Sequence, residues 1–302
     1  MNFLPQKLKA LAHTVATGAQ RSIRTICAVS RIPYETARRQ LSKLSKLKEA
    51  YARFVLERYC GKDVALVVID PTYLKKLVEG IIAAGLLVPG LGRCIPLYWE
   101  CFNWKELEKN PDGLYSRNLF QESFIRKLKK LVYPRKLVII ADREFGRTRL
   151  FEVLRKSGIY WVIRVPKTSY PPKLGDYMEF SDEAHDEPWL LSYRLPQEYS
   201  LNPAELYYLR MRIEQTFKDA KSVLSMRVIL NGVKNQNLKD GLILLLFSAW
   251  LLLAEAGMKA KESKLLPESI LRMGERGYYS RITIGRLYLA ACAMSALAES
   301  LE

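Results

Sequence analysis

The chain has 302 residues, 49% of them hydrophobic and 26% charged, a balance that excludes intrinsic disorder and allows one large domain or two ordinary ones. With 48 Lys and Arg against 31 Asp and Glu, the net charge of +17 points to a polyanionic partner and suits a small phosphomonoester substrate poorly. Five cysteines without a Cys-x-x-Cys pair exclude a disulfide framework, and the two histidines, His13 and His185, stand too far from them for a zinc site.

Residues 1–60 hold twelve Lys and Arg against Glu35, Glu49 and Glu57, a surplus of nine, or over half of the excess charge in one fifth of the chain. No basic-then-apolar leader opens them, so the expectation is a cytoplasmic protein, nucleoid-associated in a prokaryote. Within Ser22–Leu44 the spacing predicts two helices around an interruption at Val29–Pro33, with Ile23, Ile26 and Cys27 inward in the first and Ala37 and Leu41 inward in the second. Tyr34, Arg38, Arg39 and Lys43 would then be exposed, as in a helix-turn-helix. A plain helical hairpin with a solvated basic face fits this stretch as well, and the local charge favours DNA. The expected partition is a helical DNA-binding domain over 1–60 and a larger domain over 61–302.

Beyond Gly61 the pattern becomes one of short apolar runs separated by helical segments, which predicts an α/β domain. Val64–Ile69 and Leu137–Ala141 read as strands buried on both faces, each ending in an aspartate, Asp70 and Asp142. Between them Ile81–Phe102 reads as a hairpin around Gly90 and Gly92, and Ser116–Val132 as a basic amphipathic helix. A helix over Thr148–Lys156, a strand at Tyr160–Val165, an acidic loop over 166–188, a strand at Trp189–Tyr193 and one long helix from Pro203 to Leu224 follow. The apolar run Gly241–Ala254 is shorter than the ~20 residues of a spanning helix, so it is expected to be a buried helix, with no membrane partner.

A doubly buried strand cannot hold an unpaired charge, so a carboxylate at its end belongs where the sheet meets solvent. Each aspartate alone could be a capping residue. Two on one sheet can share a magnesium ion, which prefers oxygen ligands and keeps several waters. Helical spacing puts Tyr207, Arg210, Glu214 and Lys221 within an arc of ~60°, a carboxylate between two cations. Arg210 and Glu214 could equally form a solvated i,i+4 ion pair.

On these residues the sequence resembles the Asp-Asp-Glu transposases of the insertion-sequence-four family. Tyr207, Arg210, Glu214 and Lys221 meet the family's Tyr-x2-Arg-x3-Glu-x6-Lys signature, and Asp70-Pro71-Thr72 and Asp142-Arg143-Glu144-Phe145-Gly146 resemble its two aspartate motifs in the expected order. The resemblance implies a ribonuclease-H-like catalytic core over 61–302 behind the N-terminal helix-turn-helix-like domain. It implies Asp70, Asp142 and Glu214 as catalytic ligands of Mg²⁺, with Mn²⁺ able to substitute. Tyr207, Arg210, Lys221 and Arg143, with Arg38 and Arg39 of the N-terminal segment, would contact DNA. It further implies double-stranded DNA as partner, as transposon terminal repeats and target, a homodimer on paired ends, and cleavage followed by strand transfer.

Two features depart from the family. Glu144 stands where a glycine is usual, and only 72 residues separate Asp142 from Glu214, which leaves a loop where many relatives insert a β-rich subdomain. Two other readings accompany the transposase: a DNA-binding relative without catalysis, and a phosphatase whose nucleophile loop would be Asp70-Pro71-Thr72. The phosphatase would need a second aspartate at position 72, where threonine stands.

Overall fold

The computed structural model describes residues 4–18, 22–75, 79–105, 116–166, 175–181, 188–198, 200–260, 262–263, 265–275 and 280–299. Its strands are β1 (Val64–Lys75), β2 (Glu79–Leu87), β3 (Cys94–Asn103), β4 (Lys136–Ala141), β5 (Tyr160–Arg164), β6 (Asp176–Phe180) and β7 (Trp189–Arg194). The helices of the first half are α1 (Gln6–Thr17), α2 (Ile23–Val29), α3 (Tyr34–Leu44), α4 (Lys48–Tyr59), α5 (Arg117–Val132) and α6 (Thr148–Lys156). Those of the second half are α7 (Pro203–Tyr208), α8 (Met211–Ser222), α9 (Met226–Leu230), α10 (Gln236–Lys259), α11 (Glu268–Glu275) and α12 (Arg281–Glu299). The protein is thus mixed α/β, and it divides into two compact units, 49–216 and 1–48 with 217–302.

The 49–216 unit is built on one mixed sheet of seven strands in the order β3-β2-β1-β4-β5-β7-β6. β1, β4 and β5 run parallel, while β2 and β7 run antiparallel to their neighbours. Val67, Val68, Ile69, Val138, Ile139 and Ile140 are fully buried, as doubly covered strands require. Helices α5, α6 and α7 pack on β4 and β5, and the Tyr51 hydroxyl of α4 donates to the Pro96 carbonyl of β3 at 2.8 Å.

Three elements of this unit differ from the sequence reading. β1 does not end at Ile69; it continues through Asp70 to Lys75, paired with β2 from Val67↔Leu86 to Lys75↔Glu79. Pro71 is tolerated because the parallel pairing to β4 has stopped at Ile69↔Ala141, so the proline interrupts no ladder on that side. The stretch read as an acidic loop contributes β6, an edge strand against β7 that carries Asp176 and Glu179, and charge is common on an exposed edge. Asp182, Glu183, Asp186 and Glu187 of that stretch lie outside the described residues. The single helix expected over 203–224 is broken into α7 and α8 at Leu209–Arg210, where the Arg210 amide donates to the Tyr207 carbonyl and the Ile213 amide to that of Arg210, a tighter turn than an α-helix makes.

The other unit is helical and joins the two ends of the chain. In α2 and α3 Ile26, Cys27, Ala37 and Leu41 are buried and Arg38, Arg39 and Lys43 are exposed, as the spacing predicts, whereas Ile23, expected inward, and Tyr34, expected outward, are both half-buried. The partner of α3 is α10, whose apolar residues face all round and must therefore be enclosed. A Cβ at Gly241 would stand 1.8 Å from the Leu41 carbonyl oxygen, so the two backbones touch there and only glycine fits. The run expected over 241–254 is part of this 24-residue helix, long and apolar enough to cross a membrane, and 83% of its most apolar window is buried inside the protein. These units cut the chain elsewhere than the expected boundary near residue 60, because α1 and α3 pack on α10, a helix from the other end of the chain.

Candidate active site

The parallel register between β1 and β4, strands that lie about 4.8 Å apart in any sheet, ends at Ile69↔Ala141, so the next residues, Asp70 within β1 and Asp142 just beyond β4, stand where the two strands part. This is where open α/β sheets place their ligands. Beyond this point the two chains diverge. β1 runs on against β2, whereas β4 ends and Asp142 caps a 3-10 turn over Arg143–Phe145, its Oδ1 accepting the Arg143 amide at 2.7 Å.

The break between α7 and α8 supplies the rest. Asn202 caps α7 by accepting from the Ala204 and Glu205 amides, with Pro203 at the first helical position. That fixes Tyr207, which packs edge-on against Trp189 and donates its hydroxyl to Asp142 Oδ1 at 3.0 Å. The Arg210 guanidinium then lies between two acids, with Nη1 3.3 Å from Asp70 Oδ1 and Nη2 2.7 Å from Glu214 Oε1. Two series of contacts result, Asp142 to Tyr207 and Asp70 to Arg210 to Glu214, and they meet where the Arg210 guanidinium lies over the Tyr207 ring, 5.8 Å from its centroid.

Burial dominates the electrostatics of Asp70. It pushes the carboxyl up to about 7, and although the Arg210 guanidinium pulls it down, Glu214, Asp142 and Glu144 add to the rise. Burial opposes the charge on Arg210 too, yet Tyr207, Asp142, Asp70 and Glu214 around it hold its proton more tightly than usual. Burial, and then the Asp142 charge, also raise the Tyr207 hydroxyl, which keeps it a donor.

Glu144 turns away from this cluster. Its Oε1 pairs with Arg117 Nη2 at 3.0 Å and accepts from Gln121 Nε2 at 3.0 Å, both on α5, so the extra carboxylate is neutralised by the neighbouring helix. Arg117 in turn reaches the Tyr73 hydroxyl and lies over the Trp104 ring, 4.8 Å from its centroid. This group escaped the sequence reading. The signal for it was the arginine at the first turn of a basic helix, legible only once the partner of Glu144 is known.

Of the residues singled out in the sequence, Asp70, Asp142, Tyr207, Arg210 and Glu214 come together. Arg143 is exposed beside Asp142, and Lys221 lies on the last turn of α8, its ammonium 6.0 Å from the Phe217 ring. Arg38 and Arg39 belong to the helical unit. Among the described residues no three His, Cys, Asp or Glu side chains form a ready cation cage. The donor set of Asp70, Asp142 and Glu214 is all carboxylate oxygen, the chemistry that suits a hard divalent ion, and Arg210 supplies the counter-charge between two of them.

Three comparisons bear on this geometry. No curated protein matches the chain. A solved piggyBac transposase synaptic complex with hairpin DNA is similar at 13% identity and a TM-score of 0.42, the match covering 86% of this chain and 58% of that one. Residues 114–252 match the family described as Transposase DDE domain, a stretch that contains Asp142, Tyr207, Arg210, Glu214 and Lys221. That match supports a DDE transposase. The matched stretch opens after Asp70, while Asp142 and Glu214 lie within it.

Proposed function

We propose that this protein is a DNA transposase of the insertion-sequence-four type, with a ribonuclease-H-like core that cleaves at transposon ends and joins the freed 3′-hydroxyl to target DNA. The observation that carries the proposal is that Asp70 and Asp142 directly follow the last parallel pair of two adjacent strands, Ile69↔Ala141, with Glu214 tied to Asp70 through Arg210. Asp70, Asp142 and Glu214 would hold Mg²⁺ or Mn²⁺, which supplies a Lewis acid at a phosphodiester and an acidified attacking hydroxyl or water.

The chain's own residues do the positioning. Tyr207 fixes Asp142 by its hydroxyl, so that one carboxylate oxygen keeps a set direction while the other is free to ligate. Arg210 neutralises Asp70 and Glu214 and has the planar donor set that would hold a phosphate. The exposed Arg143 would provide a further cation beside Asp142, and Lys221 would contact DNA as the signature implies. The basic helices α2 and α3 would recognise end DNA, and a dimer would pair the two ends.

The test is cleavage of duplex DNA carrying the element's ends, with and without Mg²⁺. Asp70→Ala and Asp142→Ala should abolish cleavage and leave DNA binding nearly intact; cleavage that persists in EDTA or in Asp142→Ala would overturn the assignment. The DNA-binding reading without catalysis draws on one observation, that Arg210 already neutralises two of the three acids. It demands no cleavage by the wild type under any divalent ion.

A further inference from the structure

In the helical unit, two grooves meet on α3. One, of about 640 Å³, is lined by Arg24, Tyr34 and Arg38 on one side and by Asn231, Lys234 and Asn235 on the other, with no acidic residue in its wall. The other, of about 610 Å³, is lined by Arg38, Arg39, Lys43 and Lys46 of α3 and its extension, with Asn237 of α10 opposite. Its one acid, Glu35, is paired with Arg38 at 3.8 Å. Arg38 belongs to both, so the two form one cationic track from Lys234 and Arg24 to Lys46.

The far wall of the track is a segment that nothing in the sequence pattern marked. After α9 the chain turns at Gly232, which sits at φ 73°, a left-handed conformation that only glycine adopts freely. That turn carries the exposed Lys234 to the groove, and Asn235 then caps α10 by accepting from the Leu238 amide at 2.9 Å. Because α10 meets α3 backbone to backbone at Gly241, the capped start of α10 is held in fixed register beside the exposed face of α3.

We propose that this track, with Lys234 and Arg24 as its outer contacts, grips the sugar-phosphate backbone of one strand of duplex DNA while α3 faces the groove beside it. The proposal rests on the DNA-binding reading given above for α2 and α3 and adds the segment Asn231–Asn237 to it. Two observations choose the partner. From Arg38 of α3 to Lys46 in the turn after it is about 12 Å at 1.5 Å per residue, the length of roughly three to four phosphates at 3.4 Å of axial rise, and Arg38, Arg39, Lys43 and Lys46 lie along that length. A single strand would call for aromatic platforms under its bases, whereas the one ring lining the track, Tyr34, is already covered by the Arg24 guanidinium at 5.4 Å.

Binding of the full-length protein to a short random-sequence duplex, followed by fluorescence anisotropy across a KCl series, tests this, because backbone contacts are independent of sequence. Lys234→Gln and Arg24→Gln should each make the slope of log affinity against log salt shallower by about 0.9, the double variant by about twice that, with several-fold weaker binding at low salt. Lys234→Arg should keep the wild-type slope. Lys259→Gln, the same loss of charge at the other end of α10, should change neither slope nor affinity. Arg24, Lys234 and Lys259 are all exposed, so melting temperatures should be unaltered. If Arg38→Gln and Arg39→Gln weaken binding while Lys234→Gln and Arg24→Gln match the wild type, the track is overturned and the reading of α3 stands. If none of the four weakens it, that reading falls as well. Equal losses at Lys259, or tighter binding to single-stranded DNA or to anionic phosphatidylserine vesicles than to the duplex, would also overturn the proposal.

Discussion

Asp70 occupies a position that penalises its charge, and the penalty has a measurable sign. Its carboxyl binds a proton up to about pH 7 in the folded chain against an ordinary 3.8, so between those values the folded state holds a proton that the unfolded state has released. The resulting stability is fully present below about pH 4 and is lost as the pH rises through 7. Each tenfold change in proton affinity is worth about 1.4 kcal/mol, which sets a ceiling near 4 kcal/mol with the Arg210 attraction already included, and water reaching the partly accessible side chain reduces it. Asp70→Asn should therefore be more stable than wild type at pH 8 by roughly 1–2 kcal/mol, with the difference vanishing near pH 4, as followed by thermal melts across pH. Such a gain in stability at the expense of activity is what a functional carboxylate predicts. The neighbouring acid separates two roles for α8. If Glu214 served only to pair with Arg210, the pair would be worth under ~1 kcal/mol and Glu214→Gln would leave cleavage unchanged. We expect cleavage to be lost and end binding kept, whereas Arg210→Ala should cleave slowly, with partial recovery at low salt.

At the scale of elements, the sequence reading succeeded where a pattern has one physical cause and failed where two patterns coincide. The helix over Thr148–Lys156, the hairpin around Gly90 and Gly92 and the inward faces of α2 and α3 were legible because burial alone fixes their periodicity. The break between α7 and α8 was not legible. A tight turn at Leu209–Arg210 keeps Leu206, Ile213 and Phe217 buried, so the apolar spacing survives the loss of helical continuity. Likewise Asp70 and Pro71 read as the end of a strand, since each disfavours a central position, and only the early end of β4 makes room for them. Five residues that the structure brings together were singled out in the sequence, Asp70 and Asp142 as charges at the ends of apolar runs and Tyr207, Arg210 and Glu214 by their helical spacing and signature. The restraint of Glu144 by Arg117 and Gln121 was hidden in sequence separation. The cap of α7 tests how much the break contributes. Asn202→Ala should cost about 1 kcal/mol and, by loosening Tyr207, slow cleavage several-fold without weakening DNA binding; Asn202→Ser should restore both.

At the scale of the whole molecule, the helical unit depends on Arg286 of α12. Its guanidinium donates to the carbonyls of Ala16, Gly18 and Val223, which closes the end of α1, the chain after α8 and α12 around one side chain. Burial lowers its proton affinity, but three carbonyl acceptors occupy its donors. Arg286→Met keeps the packing volume and strands those carbonyls, so it should destabilise by about 2–4 kcal/mol, read as a fall in melting temperature with the five free cysteines unchanged. Because α3 buries Leu41 and Leu44 on a helix that begins near residue 236, synthesis from the amino end imposes an order on assembly. The first basic helices leave the ribosome with their apolar faces bare and wait, through nearly two hundred residues of translation, for α10 to emerge. A message cut short before that point would yield the whole sheet and its acids together with N-terminal helices that have nothing to fold against.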